Sequence, residues 1–167
     1  MNCFAVLLIY TGNFSFVKDR FCCQNKAILF NNGYLQIPTG TYFSGDFSIT
    51  AWIYYISSSD RENILFAGPA TQNNGVMFLM YPNTAQICLS VYFNETTYTI
   101  LYSMDNSKAI QLNQWYHVAT TLKGTVASIY INGIFVTNAT SLSPISTDIC
   151  YSYFGVEFGY VRKLILK

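Results

Sequence analysis

The sequence is poor in charge. Asp, Glu, Lys and Arg make up 10% of its 167 residues, whereas about 25% is typical of globular domains. The net charge is +1, and no basic cluster is longer than the pair Arg162 and Lys163. Because binding to nucleic acid needs a concentrated basic face, no nucleic acid partner is expected.

Long apolar runs are also missing. The longest, Cys3–Tyr10, is much shorter than the roughly 20 residues that span a membrane, so no membrane span is expected. This run almost directly follows the first residue. It fits either the apolar part of a secretory signal peptide or a first β-strand, so residues 1–16 are assigned to a signal-like or first-strand segment.

Apolar and aromatic residues are plentiful instead, and they alternate with a period of two. Phe47–Tyr55 places Phe47, Ile49, Ala51, Ile53 and Tyr55 on one face, and Ala85–Phe93 repeats the pattern. Runs 96–103 and 126–131 are similarly rich in β-branched and aromatic residues, which predicts further strands. Turn signals separate the runs, among them Asn31-Asn32-Gly33, Ser44-Gly45-Asp46 and Tyr81-Pro82-Asn83.

The clearest turn signal is Asn132-Gly133. Both residues tolerate a positive φ, so they predict a type I′ turn that joins two strands of a hairpin. No run shows a sustained helical period. The pattern as a whole predicts an all-β chain folded as an antiparallel β-sandwich.

Cysteines and sequons favour an extracellular, secreted glycoprotein or an ectodomain. Sequons begin at Asn13, Asn94 and Asn138, and the last two are the glycosylation candidates. The cysteines that follow the first segment form no Cys-x-x-Cys pair, which argues against a zinc or thioredoxin-like site. The disulfide candidates are therefore Cys22, Cys23, Cys88 and Cys150, with their pairing open.

The order of these features resembles a laminin G-like domain of the concanavalin A-like lectin/glucanase superfamily. The run Val17–Tyr55 is similar to the start of such a domain, with Asp19-Arg20-Phe21 followed by a Phe-x-Ile-x-x-Trp strand. Residues 114–136 resemble the family's Trp-x-His-Val strand and Tyr-x-Asn-Gly hairpin, and Tyr153–Gly159 resembles its late glycine-containing strand. The resemblance covers residues 17 to 159.

The resemblance implies a jelly roll of two curved antiparallel sheets over residues 17–160. It also marks two departures. Cys22-Cys23 stand where relatives often have Gly-Asn, and the ending Tyr160–Lys167 has no cleanly apolar face. Residues 161–167 are therefore assigned to a tail, and the fold is expected either complete or without its last strand.

Family members that hydrolyse glycans carry a Glu-x-Asp-x-Glu strand, and retaining hydrolysis needs two carboxylates about 5–5.5 Å apart. The glutamates here, Glu62, Glu95 and Glu157, lie in no such motif. The single histidine, His117, is part of the family's Trp-x-His-Val strand. The sequence contains no Gly-x-Ser-x-Gly nucleophile motif for which it could act as general base. We therefore expect a structural histidine and no enzymatic activity.

The resemblance implies a recognition module for a carbohydrate or an extracellular protein. A glycoside hydrolase or lyase and a structural or adhesion spacer are the alternatives. Some relatives use calcium, a cation that takes several oxygen ligands, so calcium is a candidate cofactor, although the loop carboxylates Asp60, Glu62, Asp105 and Asp148 are too scattered to define its site. Trp52, opposite the apolar face of its strand, is either a packing residue or an exposed anchor, and we favour packing. The sequence identifies neither ligand-binding nor metal-binding residues.

Overall fold

The structure is a computed structural model that describes residues 9–38, 40–56, 62–68, 75–81, 84–92, 97–103, 110–140, 152–154 and 163–166. For residues 9, 10, 32, 62, 152–154 and 163–166 it describes the backbone alone. Every regular element in these ranges is a β-strand, and they contain no helix long and apolar enough to cross a membrane. The strands are β1 (Ile9–Val17), β2 (Ala27–Ile37), β3 (Phe47–Tyr55), β4 (Glu62–Ala67), β5 (Gly75–Tyr81), β6 (Gln86–Tyr92), β7 (Tyr98–Tyr102), β8 (Trp115–Lys123), β9 (Val126–Ile131), β10 (Ile134–Thr140), β11 (Ser152–Phe154) and β12 (Lys163–Leu166).

One hydrogen-bonded path joins the strands in the order β10-β9-β8-β3-β12-β2-β11-β4-β5-β6-β7, and all pairs are antiparallel. The long strand β2 belongs to both layers, because its first half pairs with β12 and its second half pairs with β11. Strand β1 runs along the other edge of β2. Strand β7 contacts β9 and β10 from the opposite layer, so the path folds over into a sandwich.

The core lies between the two layers. It takes alternate residues from β3, β8 and β9 on one side and from β4, β5 and β6 on the other, as period-two side-chain alternation requires. Its largest fully buried members are Tyr55, Phe78, Ile53, Ile64, Met80, Ile87, Leu89, Leu122 and Ile129. The predicted all-β antiparallel sandwich is confirmed, and so is the inward face of Phe47–Tyr55.

Strands β4, β5 and β6 are buried on both faces, whereas β7 at the edge is partly exposed. The outer face of this layer carries a second buried cluster of Phe66, Met77, Leu79, Cys88 and Tyr92. The near-continuous burial of β5 and β6 follows from this, because neither face of these strands is left to solvent. Layer β3-β8-β9-β10 differs, since most of its outward positions are half-buried or exposed, although Ala119 and Ser128 are buried.

One sequence assignment needs correction, and for residues 1–16 the structure describes the first-strand alternative from Ile9 onward. Residues 163–166, assigned to a tail, form β12, which pairs with β2 on one side and β3 on the other. The last strand, whose presence the sequence left open, is therefore an interior strand of the sheet. Its backbone pairs on both sides although its sequence has no cleanly apolar face. At the other end, residues from Ile9 onward form a first strand along β2, while residues 1–8 lie outside the described ranges.

The predicted turn at Asn31-Asn32-Gly33 is also wrong. These residues lie inside β2, and Gly33 pairs with Gly12 of β1 next to a β-bulge. A Cβ on Gly33 would lie 2.5 Å from the Asn13 carbonyl oxygen. The glycine is therefore required by close approach of two backbones and not by a change of chain direction.

Candidate functional site

Ring side chains line the outer surface of the layer β3-β8-β9-β10. We call this surface the aromatic face and define it by Trp52, Tyr54, Trp115, His117, Tyr130 and Phe135. Trp52 lies opposite His117, with ring centroids 5.2 Å apart, and Tyr54 lies opposite Trp115 at 5.5 Å. The remaining two rings, Tyr130 and Phe135, also form a cross-strand pair at 5.9 Å.

The alternation of the strands explains why these rings point outward. Ile49 and Ile53 of β3 and Val118 of β8 enter the core, so the residues next to them must point away from it. Aromatic pairs in edge-to-face contact stabilise neighbouring strands by about 0.5–1.5 kcal/mol beyond their buried area. This stabilisation gives the rings a structural role. Phe135 nevertheless remains 48% exposed.

Polar side chains border the aromatic face at one end. A surface depression of about 450 Å³ is lined by Asp46, Ser48, Thr121, Lys123 and Tyr130, together with two core residues. The Asp46 Oδ1 accepts the Gly124 N–H over 2.6 Å, which fixes the turn between β8 and β9 against the start of β3. The depression thus combines one aromatic ring with hydroxyl, amine and carboxylate groups on a rigid sheet.

The loop between β1 and β2 lays one arginine onto this face. The Arg20 guanidinium carbon lies 3.8 Å from the centre of the Phe21 ring and 4.0 Å from the centre of the Trp52 ring. Asp19 holds the loop in place, since it is buried and its Oδ1 accepts the N–H groups of Phe21 and Cys23. Of the two alternatives for Trp52, the structure shows packing. The half-buried Trp52 ring contacts His117 and Arg20.

His117 is half-buried, and its surroundings are those of a strand residue. Its main chain bonds Asn132 at the hairpin turn and its ring packs beside Trp52. The acidic residues with described side chains are Asp19 and Asp46, and both accept backbone N–H groups. Within the described residues no three His, Cys, Asp or Glu side chains come together as a metal site.

The other predicted residues divide between described and undescribed parts of the chain. Asn138 is exposed on β10, whereas Asn94 lies outside the described residues. Cys22 and Cys23 are exposed thiols and Cys88 is a buried thiol, so no disulfide joins the cysteines that the structure describes. Cys150 lies outside these ranges, as do Glu95, Glu157, the side chain of Glu62 and the loop acids Asp60, Asp105 and Asp148.

The sequence contained a signal for part of this site. A two-residue turn at Asn132-Gly133 fixes the register of its hairpin, and that register places Tyr130 opposite Phe135 on the outward side. No comparable signal existed for Arg20, because its contact with Trp52 joins a loop to a strand 32 positions later.

The sequence matches a protein-family model over most of its length. A laminin G model, described as the Concanavalin A-like lectin/glucanases superfamily, matches residues 30–160. No curated protein matches the chain in sequence.

Similar solved structures share the fold at low sequence identity. Domain 4 of AbnA, a GH43 extracellular arabinanase from Geobacillus stearothermophilus solved with arabinotriose, has 16% identity and a TM-score of 0.74 over 95% of this chain and 81% of that one. The botulinum neurotoxin DC binding domain in complex with SialylT has 17% identity and a TM-score of 0.70. The same binding domain in complex with rat synaptotagmin II has 15% identity and a TM-score of 0.68.

For both toxin structures the match covers 96% of this chain, but it spans only 42% and 43% of the toxin chains. Identities this low show the fold alone. The neighbours are jelly-roll domains, and the predicted jelly roll is thereby confirmed.

Proposed function

The chain belongs to the concanavalin A-like lectin/glucanase superfamily, and from that premise we propose that it is a non-catalytic module that recognises carbohydrate through the aromatic face. The observation that carries the proposal is the cross-strand pair of Tyr130, which lines the depression, and Phe135, which is 48% exposed. As part of the proposal the module works outside the cell, which the sequons support.

The surface chemistry suits a sugar. A saccharide ring has apolar C–H faces and a rim of hydroxyl groups, so it fits a site with aromatic surface and a few fixed polar groups. Tyr130 supplies the ring, and Ser48 and Thr121 supply hydroxyl groups at the same end of the face. All three side chains project from paired strands, which reduces the entropy lost when a ligand binds.

Two further observations support the proposal. Asp19 and Asp46 are already engaged by backbone N–H groups, so neither is placed as one of the two facing carboxylates that glycoside hydrolysis uses. The structures with arabinotriose and SialylT are complexes of similar folds with saccharides. The complex with synaptotagmin II supports the second candidate, a protein ligand outside the cell.

A glycan array probed with and without calcium tests the proposal. Tyr130→Ala and Phe135→Ala are expected to weaken binding at least about 10-fold, because each removes stacking surface from the site. Tyr98→Ala is the matched control, since Tyr98 is a tyrosine that is 51% exposed on the opposite layer. Loss of binding in Tyr98→Ala alone would move the site to that layer.

The array also separates the alternatives. Binding that disappears with EDTA would establish the calcium dependence that the described residues leave open. Release of reducing sugar from a polysaccharide panel would identify an enzyme and overturn the non-catalytic part of the proposal. Absence of any glycan signal, with folded protein verified by circular dichroism, would overturn carbohydrate recognition itself.

A further inference from the structure

The loop between β1 and β2 concentrates positive charge in a chain that has little. Lys18, Arg20 and Lys26 lie within nine residues and are all exposed. The Lys26 N–H donates to the Val17 carbonyl, so Lys18 and Lys26 lie at the base of the same loop. The one acidic residue of the loop, Asp19, is buried and turned to backbone N–H groups.

The Arg20 guanidinium lies over two aromatic rings. Phe21 and Trp52 each lie about one ring thickness away, at 3.8 and 4.0 Å from Cζ. A stacked guanidinium keeps its N–H donors in its own plane, at the edge that aromatic rings do not cover. Within the described part of the chain no carboxylate pairs with Arg20, so this edge is available to a ligand.

We propose that Arg20, held against Trp52, selects an anionic saccharide by binding its carboxylate or sulfate group. The inference rests on the proposed function, since it names the class of sugar that the aromatic face takes. A planar fork of donors matches two oxygens of such a group, and charge-assisted bonds of this kind are roughly twice as strong as neutral ones. Stacking in advance reduces the side-chain entropy that binding would otherwise remove.

The position of Arg20 favours a saccharide over an inorganic anion. The aromatic face continues beyond Trp52 along β3, because Tyr54 follows it on the same side of the strand and pairs with Trp115. Two residues of strand span about 6.7 Å, so a ligand anchored by its anionic group at Arg20 reaches the Tyr54–Trp115 pair with its ring. An isolated anion would use the guanidinium and gain nothing from the rings.

Matched trios of oligosaccharides on a surface test this inference. Each trio holds a neutral glycan, the same glycan with a terminal uronic acid, and the same glycan with a terminal 6-sulfate. The wild-type protein is expected to bind at least one anionic member about 10-fold or more tightly than the neutral member. The trio also shows whether the carboxylate or the sulfate is the preferred group.

Three variants assign that preference to the arginine. Arg20→Gln is expected to abolish the preference and to retain neutral binding. Arg20→Lys keeps the charge but lacks the planar fork, so it is expected to lose most of the preference. Lys18→Gln removes one positive charge from the same loop and is expected to retain the preference for the anionic member.

Tryptophan fluorescence provides an independent readout, because the chain has two tryptophans and both belong to the aromatic face. Titration with the anionic member is expected to change emission at lower ligand concentration in the wild type and in Lys18→Gln than in Arg20→Gln, where the midpoint should match that of the neutral member. If the wild type binds the neutral member as tightly as both anionic members, the inference is overturned and the proposed function is unaffected. Equal loss in Lys18→Gln and Arg20→Gln would reduce the effect to general electrostatics and overturn it. Absence of binding to every glycan would overturn the proposed function, and this inference with it.

Discussion

His117 and Asn132 hydrogen-bond each other through two different groups. The His117 N–H donates to the Asn132 side-chain Oδ1 over 2.9 Å, and the Asn132 N–H donates to the His117 carbonyl over 2.7 Å. The next pair along, Val118 and Ile131, belongs to the regular β8–β9 ladder. Asn132 therefore extends the β8–β9 ladder by one position. Its side-chain Oδ1 accepts the His117 N–H in the place of its own main-chain carbonyl oxygen.

The role of Asn132 predicts a graded response to substitution. Its φ is +52°, so Asn132→Ala loses the side-chain acceptor and also adds left-handed strain. We expect a loss of about 2 kcal/mol in the free energy of unfolding. Asn132→Gly loses the acceptor but tolerates the φ, and about 1 kcal/mol is expected. Urea unfolding measures both, and equal losses would show that the backbone conformation does not matter here.

The turn at Asn132-Gly133 was predictable because its requirement is local. Both residues have positive φ, and Ile131 pairs with Ile134 across them, as a type I′ turn demands. The strands β3 and β6 were predictable for a similar reason, since alternation of side chains is a property of each strand alone. Gly33 was misread because its constraint comes from Gly12 and Asn13, about twenty positions earlier.

The close approach at Gly33 predicts a large effect of one methyl group. A Cβ there would lie 2.5 Å from the Asn13 carbonyl oxygen and 2.9 Å from the Thr11 carbonyl oxygen. Backbone atoms cannot move aside cheaply, so Gly33→Ala is expected to cost about 3 kcal/mol. Gly45→Ala is the control, because Gly45 has open space around it and only its φ of +78° to strain, a cost of about 1 kcal/mol. Similar midpoints of thermal unfolding for the two variants would contradict the clash.

Cys22 has a backbone conformation that suits glycine. Its φ is +63° in an exposed turn, at the position where the laminin G-like resemblance led us to note a departure from glycine. Cys22→Gly is expected to raise the free energy of unfolding by up to about 1 kcal/mol, because it relieves left-handed strain. Cys23 is not among the residues with positive φ, so Cys23→Gly is expected to lower stability by about 0.5–1 kcal/mol. Unfolding under reducing conditions compares the two, and stabilisation by both would point to thiol chemistry instead.

Asn63 is a buried polar residue whose side-chain amide has no hydrogen-bond partner among the described residues. It is fully buried opposite Leu79 on the outer face of β4–β7. Asn63→Leu is expected to raise stability by about 1–2 kcal/mol, since an unsatisfied buried amide is removed.

Thr120→Val is the matched control for Asn63. Thr120 is equally buried, but its hydroxyl donates to the Ser128 carbonyl over 2.9 Å. Its replacement is expected to cost about 1 kcal/mol, the usual net value of a satisfied hydrogen bond. Chemical denaturation of both variants gives the comparison, and a destabilised Asn63→Leu would show that the amide does have a partner in the folded protein.

The candidate site was less predictable than the fold because its parts meet only in the tertiary structure. Outward positions such as Trp52 and His117 could be assigned to one face from strand periodicity. Their pairing needed the register between β3 and β8, which no local signal gives. The contact between Arg20 and Trp52 depends further on a loop conformation that buried Asp19 sets through backbone hydrogen bonds.

The sequon at Asn138 predicts a competition on the aromatic face. Asn138 pairs with Ser128, Ser128 with Thr121 and Thr121 with Ser48, so these side chains form one cross-strand row. Directly paired residues point to the same face, and Ser48 and Thr121 line the depression. A glycan attached to exposed Asn138 would therefore begin on the surface that we propose for ligand binding.

We expect protein secreted from a glycosylating host to carry a glycan at Asn138 and to bind soluble oligosaccharide at least about 10-fold more weakly than unglycosylated protein. Thr140→Ala removes the acceptor signal and is expected to restore binding in the same host. Because Asn138 and Thr140 are both exposed on the outermost strand β10, neither the attachment nor the substitution should disturb the core. Mass spectrometry reports occupancy, and calorimetry reports affinity. Full affinity in protein with occupied Asn138 would exclude the depression from the binding site and confine the ligand to the Trp52 end of the face.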